Sequence, residues 1–84
     1  MNWDVIEVRA IGHLALEVRF ADGLIGKANF LESACVGVFE VLKDPGFFAQ
    51  VKLGQGYVTW PGELDLAPDA MYASIKESGQ WEFA

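Results

Sequence analysis

The sequence predicts an α+β fold: a three-stranded antiparallel meander, a short helical segment, a β-hairpin and a C-terminal helix, in the order βββ-α-ββ-α. Three observations carry this reading. Leu14, Leu16, Val18 and Phe20 alternate with His13, Ala15, Glu17 and Arg19, the period of a strand with one buried face. Asp22-Gly23 stands between two apolar runs, a strong hairpin signal. Pro68 and Gly79 bracket a stretch in which Met71, Tyr72 and Ile75 recur at helical spacing.

The first strand is expected over Val5–Ile11, with Ile6, Val8 and Ala10 facing opposite to Glu7 and Arg9. Gly12 then marks a tight turn or bulge before the strand over His13–Phe20. At the next turn Gly23 tolerates positive φ, and the Asp22 carboxylate can bond the turn's own amides. A third strand follows over 24–28. Asn29 and Glu32 have the spacing of a capping box, and Phe30, Leu31, Ala34, Cys35, Val38, Phe39 and Leu42 follow as a helical stripe. Gly37 interrupts that stripe, so the expectation is one weakened helix or two short turns hinged there. Asp44-Pro45 caps one more turn, Pro45 to Ala49, with Phe47 and Phe48 closing the edge of the core. Strands over Gln50–Leu53 and Tyr57–Trp60 flank the loop Gly54-Gln55-Gly56. Pro61-Gly62 stops that ladder, residues 61–67 form a loop, and the last helix runs from Pro68 to Ser78 with Gly79 as its left-handed cap. The tail Gln80-Trp81-Glu82-Phe83 alternates polar and apolar. It folds back as a sixth strand or over part of the core, or it adds to the sheet edge of another chain.

The totals set further bounds. A chain of 84 residues is read as one domain, 1–84, because two cores could not both be buried at this length. Twelve acids against six bases give a net charge of −6, and residues 53–84 carry Glu63, Asp65, Asp69, Glu77 and Glu82 against Lys76 alone. Direct nucleic-acid binding depends on Lys and Arg displacing counterions, so it is not expected here; a basic protein partner fits the charge better. Cys35 is the only cysteine, which excludes an intrachain disulfide and fits a cytoplasmic location. No apolar run approaches the length of a membrane span, and the acidic N-terminus does not read as a signal peptide.

Three signatures occur in a recognisable order: Phe20-Ala21-Asp22-Gly23, then Leu42-Lys43-Asp44-Pro45 with Phe48, then Trp60-Pro61 leading to Asp65-Leu66 and Pro68-Asp69. Together they resemble the small bacterial and phage-borne family called domain of unknown function 2442. The resemblance covers about residues 5–72 and leaves 73–84 as an extension. The chain departs from the family pattern at Ala67, where a polar cap is usual. The resemblance implies little chemistry. Some members carry a fused helix-turn-helix domain, which this chain is too short to contain. Others are encoded beside a small protein in an arrangement similar to toxin–antitoxin pairs.

Among the residues able to do chemistry, His13 falls on the outward phase of its strand, and Cys35 on an apolar stripe without the positive neighbours that activate a thiol. Glu63, Asp65 and Asp69 form the one acidic cluster. Cap and turn roles account for it better than a metal does: Asp65 bonding loop amides, Asp69 in the first helical turn. Trp60 is read as a core anchor whose indole N–H finds a loop carbonyl; exposed, it would be a binding hot spot. No catalytic residue, cofactor or metal site is expected. The working surface is expected among Trp60, Glu63, Asp65, Asp69, Tyr72, Trp81 and Phe83. The first functional expectation is a non-enzymatic protein-interaction module, an antitoxin-like partner of a small neighbouring protein, and self-association is expected of a small sheet with open edges. The alternative is a small-ligand-binding domain with its pocket near Trp60.

Overall fold

The computed structural model describes residues 3–83. Two sheets form. Strands β1 (Val5–Gly12), β2 (Ala15–Phe20) and β3 (Ile25–Phe30) make the antiparallel meander, and β7 (Gln80–Phe83) lies parallel to β3, giving the order β1-β2-β3-β7. The second sheet is antiparallel, β4 (Lys52–Leu53), β5 (Val58–Trp60) and β6 (Leu64–Leu66). Between the sheets in sequence come 3-10 turns at Glu32–Ala34 and Gly37–Lys43 and the single turn α1 (Pro45–Phe48); α2 (Pro68–Ser78) precedes β7. The α+β class is as the sequence predicts.

The alternation of β2 builds the core. Leu16, Val18 and Phe20 are fully buried, and Ala28, Met71, Ile75 and Trp60 close over them from β3, α2 and β5. Gly26 lets α2 approach: a Cβ there would stand 2.3 Å from Ile75 Cγ2 and 2.8 Å from the Gly79 carbonyl oxygen. Asp22 Oδ1 accepts from the Leu24 amide at 3.0 Å, Asp44 Oδ1 caps Gly46 at 3.0 Å, and Gly79 ends α2 at φ +84 with its N–H on Ile75 O at 2.7 Å. These turns stand where the sequence puts them.

Other elements differ, each for a physical reason. His13 is in the turn before β2, not on a strand, because Leu14 takes φ +51 to reverse the chain while its side chain stays buried. Ile6 does not share a face with Val8 and Ala10: the register slips between Val5 and Glu7, and Ile6 is left exposed at the bulge. Asn29 and Glu32 form no capping box. β3 runs on to Phe30 because β7 pairs with it, Asn29 opposite Glu82 and Phe30 opposite Phe83. Residues 31–43 make no α-helix; Gly37 at φ +60 parts two 3-10 turns, the hinged alternative. Residues 61–67 are not wholly loop. Gly62 and Glu63, at φ +85 and +61, fold the chain back so that Leu64–Leu66 adds a strand to β5. β4 and β5 are each shorter than expected. The tail resolves to the intramolecular choice: β7 completes the first sheet, with Ser74 Oγ donating to the Gln80 carbonyl at 2.8 Å.

Candidate functional site

The expected surface residues do not gather in one place. Trp60 is 1% exposed, its Nε1–H donates to the Phe48 carbonyl at 2.9 Å, and its ring packs 5.9 Å from Phe30 and 5.7 Å from Phe48. It is a core anchor, so it is withdrawn from the docking surface. Trp81 and Phe83 point inward from β7 and are half-buried against Phe30, with centroids 6.1 and 5.4 Å away. Tyr72 meets Phe20 edge-on at 5.0 Å, and its hydroxyl donates to the Asp22 carboxylate. That bond holds Asp22 below the usual carboxylate range, helped by the Leu24 amide, and pushes the Tyr72 hydroxyl up.

Glu63, Asp65 and Asp69 are exposed along the stretch from the β5–β6 turn to the start of α2. Asp65 does not bond loop amides as expected. It sits on β6, where it accepts the hydroxyl of its cross-strand partner Thr59. Asp69 lies in the first turn of α2. Among the described residues none of the three makes an ion pair, which leaves their charge to solvent or to a partner. Of the three, Asp65 lines a shallow depression of about 370 Å³, with Tyr57, Leu66, Ala67 and Pro68.

The surface that the sequence reading missed lies between Leu31 and Val41. Leu31, Val36, Val38 and Val41 are 39%, 60%, 71% and 45% exposed. Cys35 and Leu42 are buried on either side of the valines, and Phe39 packs on Phe83 at 5.0 Å, so the segment is tied down while its aliphatic side chains face out. Two signals could have shown this. Val36 and Val38 are two apart, a spacing no helix places on one face, and Gly37 between them weakens any helix. Glu32 and Glu40 lie within the same segment; Glu32 meets His13 Nε2 at 2.9 Å.

His13 and Glu32 are both well exposed, and burial raises the Cys35 thiol despite the attraction of Lys43. A neutral buried thiol is a poor nucleophile. No group of three potential metal ligands forms among the described residues. The ligand pocket was expected near Trp60; the depression of about 290 Å³ at the far end of β1 is lined by Ala10, Leu14, Leu42, Pro45 and Phe48, without Trp60. No helix among the described residues is long and apolar enough to cross a membrane.

A family model described as a protein of unknown function, DUF2442, matches residues 5–77. No curated protein and no solved structure matches the chain.

Proposed function

The chain belongs to the DUF2442 family of proteins of unknown function, and from that premise we propose that it is a non-enzymatic protein-interaction module. The single observation that carries this reading is the outward-facing aliphatic segment from Leu31 to Val41. Four aliphatic side chains held out on a braced backbone lose contact with water when a partner covers them, at about 25 cal/mol per Å² of apolar surface. The charge selects which partner. Exposed Glu32 and Glu40 lie in the same segment, Glu63, Asp65 and Asp69 add to the acidic surface, and the chain carries −6. A partner with an apolar centre and a basic rim complements that surface. In the antitoxin-like version the partner is a small basic protein encoded nearby in the cytoplasm, and binding covers its working surface.

Co-expression with the neighbouring gene product followed by size exclusion tests the reading. A co-eluting complex that is lost in Val38→Glu, with the variant's melting curve intact, supports it. Failure of the native chain to form a complex removes the antitoxin-like version, and a complex indifferent to Val38→Glu removes the patch as its seat.

A further inference from the structure

The depression at the far end of β1 lies between the turn that joins β1 to β2 and the single turn α1, with a volume of about 290 Å³. Its floor is apolar and buried, made by Leu14, Leu42 and Phe48. Its rim includes exposed residues with little or no side chain, Ala10, Gly12 and Ala49. A Cβ added at Gly12 would meet nothing within 4 Å. Both walls are held by bonds to distant parts of the chain. On one side Leu14 turns the chain at φ +51, and its carbonyl accepts the Phe30 N–H at 2.9 Å. On the other, Phe48 meets Phe30 edge-on at 5.6 Å, and its carbonyl accepts the Trp60 indole N–H at 2.9 Å. A hollow braced in this way stands formed before anything enters it, so an occupant spends no binding energy on opening it.

Size and charge limit what fits. Roughly 150 Å³ of apolar space takes a benzene ring, so the hollow suits one aromatic side chain, with an indole at the upper end. Among the side chains that line it only His13 is polar, and its Nε2 lies 2.9 Å from Glu32 Oε1. Glu32 is thereby held on the side of the hollow that His13 lines. Residues 31–45 carry Glu32, Glu40 and Asp44 against Lys43. An anionic group beside the entering ring would face this surplus, whereas a cationic one is drawn to it. The hollow is also continuous in sequence with the aliphatic patch at both of its ends. Glu32 follows Leu31, and Leu42 of the floor follows Val41.

We propose that this hollow is the anchor site of the interface: it receives one aromatic side chain of the protein partner, and a lysine or arginine next to that residue reaches Glu32. The inference rests on the protein-interaction reading above and adds to it the chemistry of the anchor. The ring loses water against Leu14, Leu42 and Phe48, as do the few aromatic anchors that carry most of the binding energy of an interface. The partner's cation meets Glu32 at the rim, where a charge selects the orientation of the ring more than it tightens binding. The valines beyond supply area, and the hollow supplies the fixed point.

The methyl signals of Leu14 and Leu42 in the full chain, followed by NMR, test this without the partner in hand. The probes are three capped tripeptides: lysine–tryptophan–lysine, lysine–alanine–lysine and glutamate–tryptophan–glutamate. The first is expected to shift both leucines with a dissociation constant of about 1 mM, as suits a single anchor. The alanine peptide is expected to leave both signals in place, and the glutamate peptide to bind about fivefold more weakly. Glu32→Gln is expected to narrow the preference for lysine over glutamate. Ala49→Trp and Ala10→Phe, each bringing a ring to the rim at an exposed position, are expected to abolish the shifts, with circular dichroism checking that each is folded. Free tryptamine that shifts the leucines where the lysine peptide does not would give the hollow to a small molecule. Shifts that grow with protein concentration alone would give it to a second copy. Either overturns the proposal, as do silence at about 10 mM peptide, shifts that survive both filling variants, or a preference untouched by Glu32→Gln. The interaction reading fails separately. A partner complex that is lost in Val38→Glu yet indifferent to Ala49→Trp removes the anchor and keeps the reading. Leucine shifts without any complex from the neighbouring gene product support the anchor and remove the antitoxin-like version.

Discussion

Leu16, Val18 and Phe20 on β2 are buried to 1% exposure or less, whereas Leu31, Val36, Val38 and Val41, no less apolar, are exposed by 39% or more. The two runs are close in composition and differ in backbone. On β2 a period of two meets a sheet of period two, so Leu16, Val18 and Phe20 all fall on the core face. After Phe30 the backbone follows two short 3-10 turns with a left-handed glycine between them, and four of the aliphatic side chains are left on the solvent side while Cys35 and Leu42 are buried. Burial is decided by the match between sequence period and backbone period. Apolar content alone does not decide it.

Substitutions can break or sharpen that contrast. The largest effect is expected at Phe30, where Phe48, Trp60, Trp81 and Phe83 converge with centroids within 6.1 Å. Phe30→Ala should cost about 3–5 kcal/mol in a urea titration, by lost burial and the cavity left behind. Next comes Gly26→Ala. Its new methyl meets the Gly79 carbonyl as well as Ile75, and backbone yields less readily than a side chain, so about 1–3 kcal/mol is expected.

A smaller effect is expected at Tyr72→Phe, on the border between core and solvent. Because Tyr72 lowers Asp22, their bond stabilises above the usual carboxylate range and is lost as pH falls through Asp22's lowered pKa. Because Asp22 raises Tyr72, the same bond stabilises below the usual phenol range and is lost as pH rises through Tyr72's raised pKa. Melting temperatures measured against pH should therefore show the native chain ahead of the variant between roughly pH 4 and 10, converging outside that window. The smallest effect on stability is expected at Val38→Ser, within about ±0.5 kcal/mol. A loss near that of Phe30→Ala would show that the segment after Phe30 is as much core as β2, and the contrast would fail.

How much of this was legible depends on whether the deciding contact was local. The β2 alternation, the Asp22-Gly23 turn, the Asp44 cap and the Gly79 cap each depend on residues within a few positions, and each stands as read. Asn29 and Glu32 also made a sound local signal, but a strand more than half the chain away pairs with Asn29 and overrides it. β6 escaped because three residues are too few to show a period and because Pro61-Gly62 reads equally well as a stop or as a turn. The candidate site suffered in the same way. Trp60 was legible as a core anchor but carries no local mark that Phe48 will be the acceptor of its N–H, and Val38 read as part of a helical stripe with Cys35, Phe39 and Leu42, which Gly37 at positive φ breaks.

The parallel pairing of β7 with β3 has a consequence for how the molecule is made. Lys27 to Phe30 pair with Gln80 to Phe83, so everything between them must be looped out before the pairing forms. The meander can assemble from near neighbours in sequence as soon as it leaves the ribosome, while Phe30 waits with its aromatic flank bare for a strand translated much later. On that ordering β7 is expected to dock after the rate-limiting barrier. In chevron kinetics Phe83→Leu should then accelerate unfolding and leave the folding limb where it was. A slowed folding limb would move the late strand into the nucleus. In the cell, the interval between synthesis of the third strand and the last is when this chain most needs shelter from its neighbours.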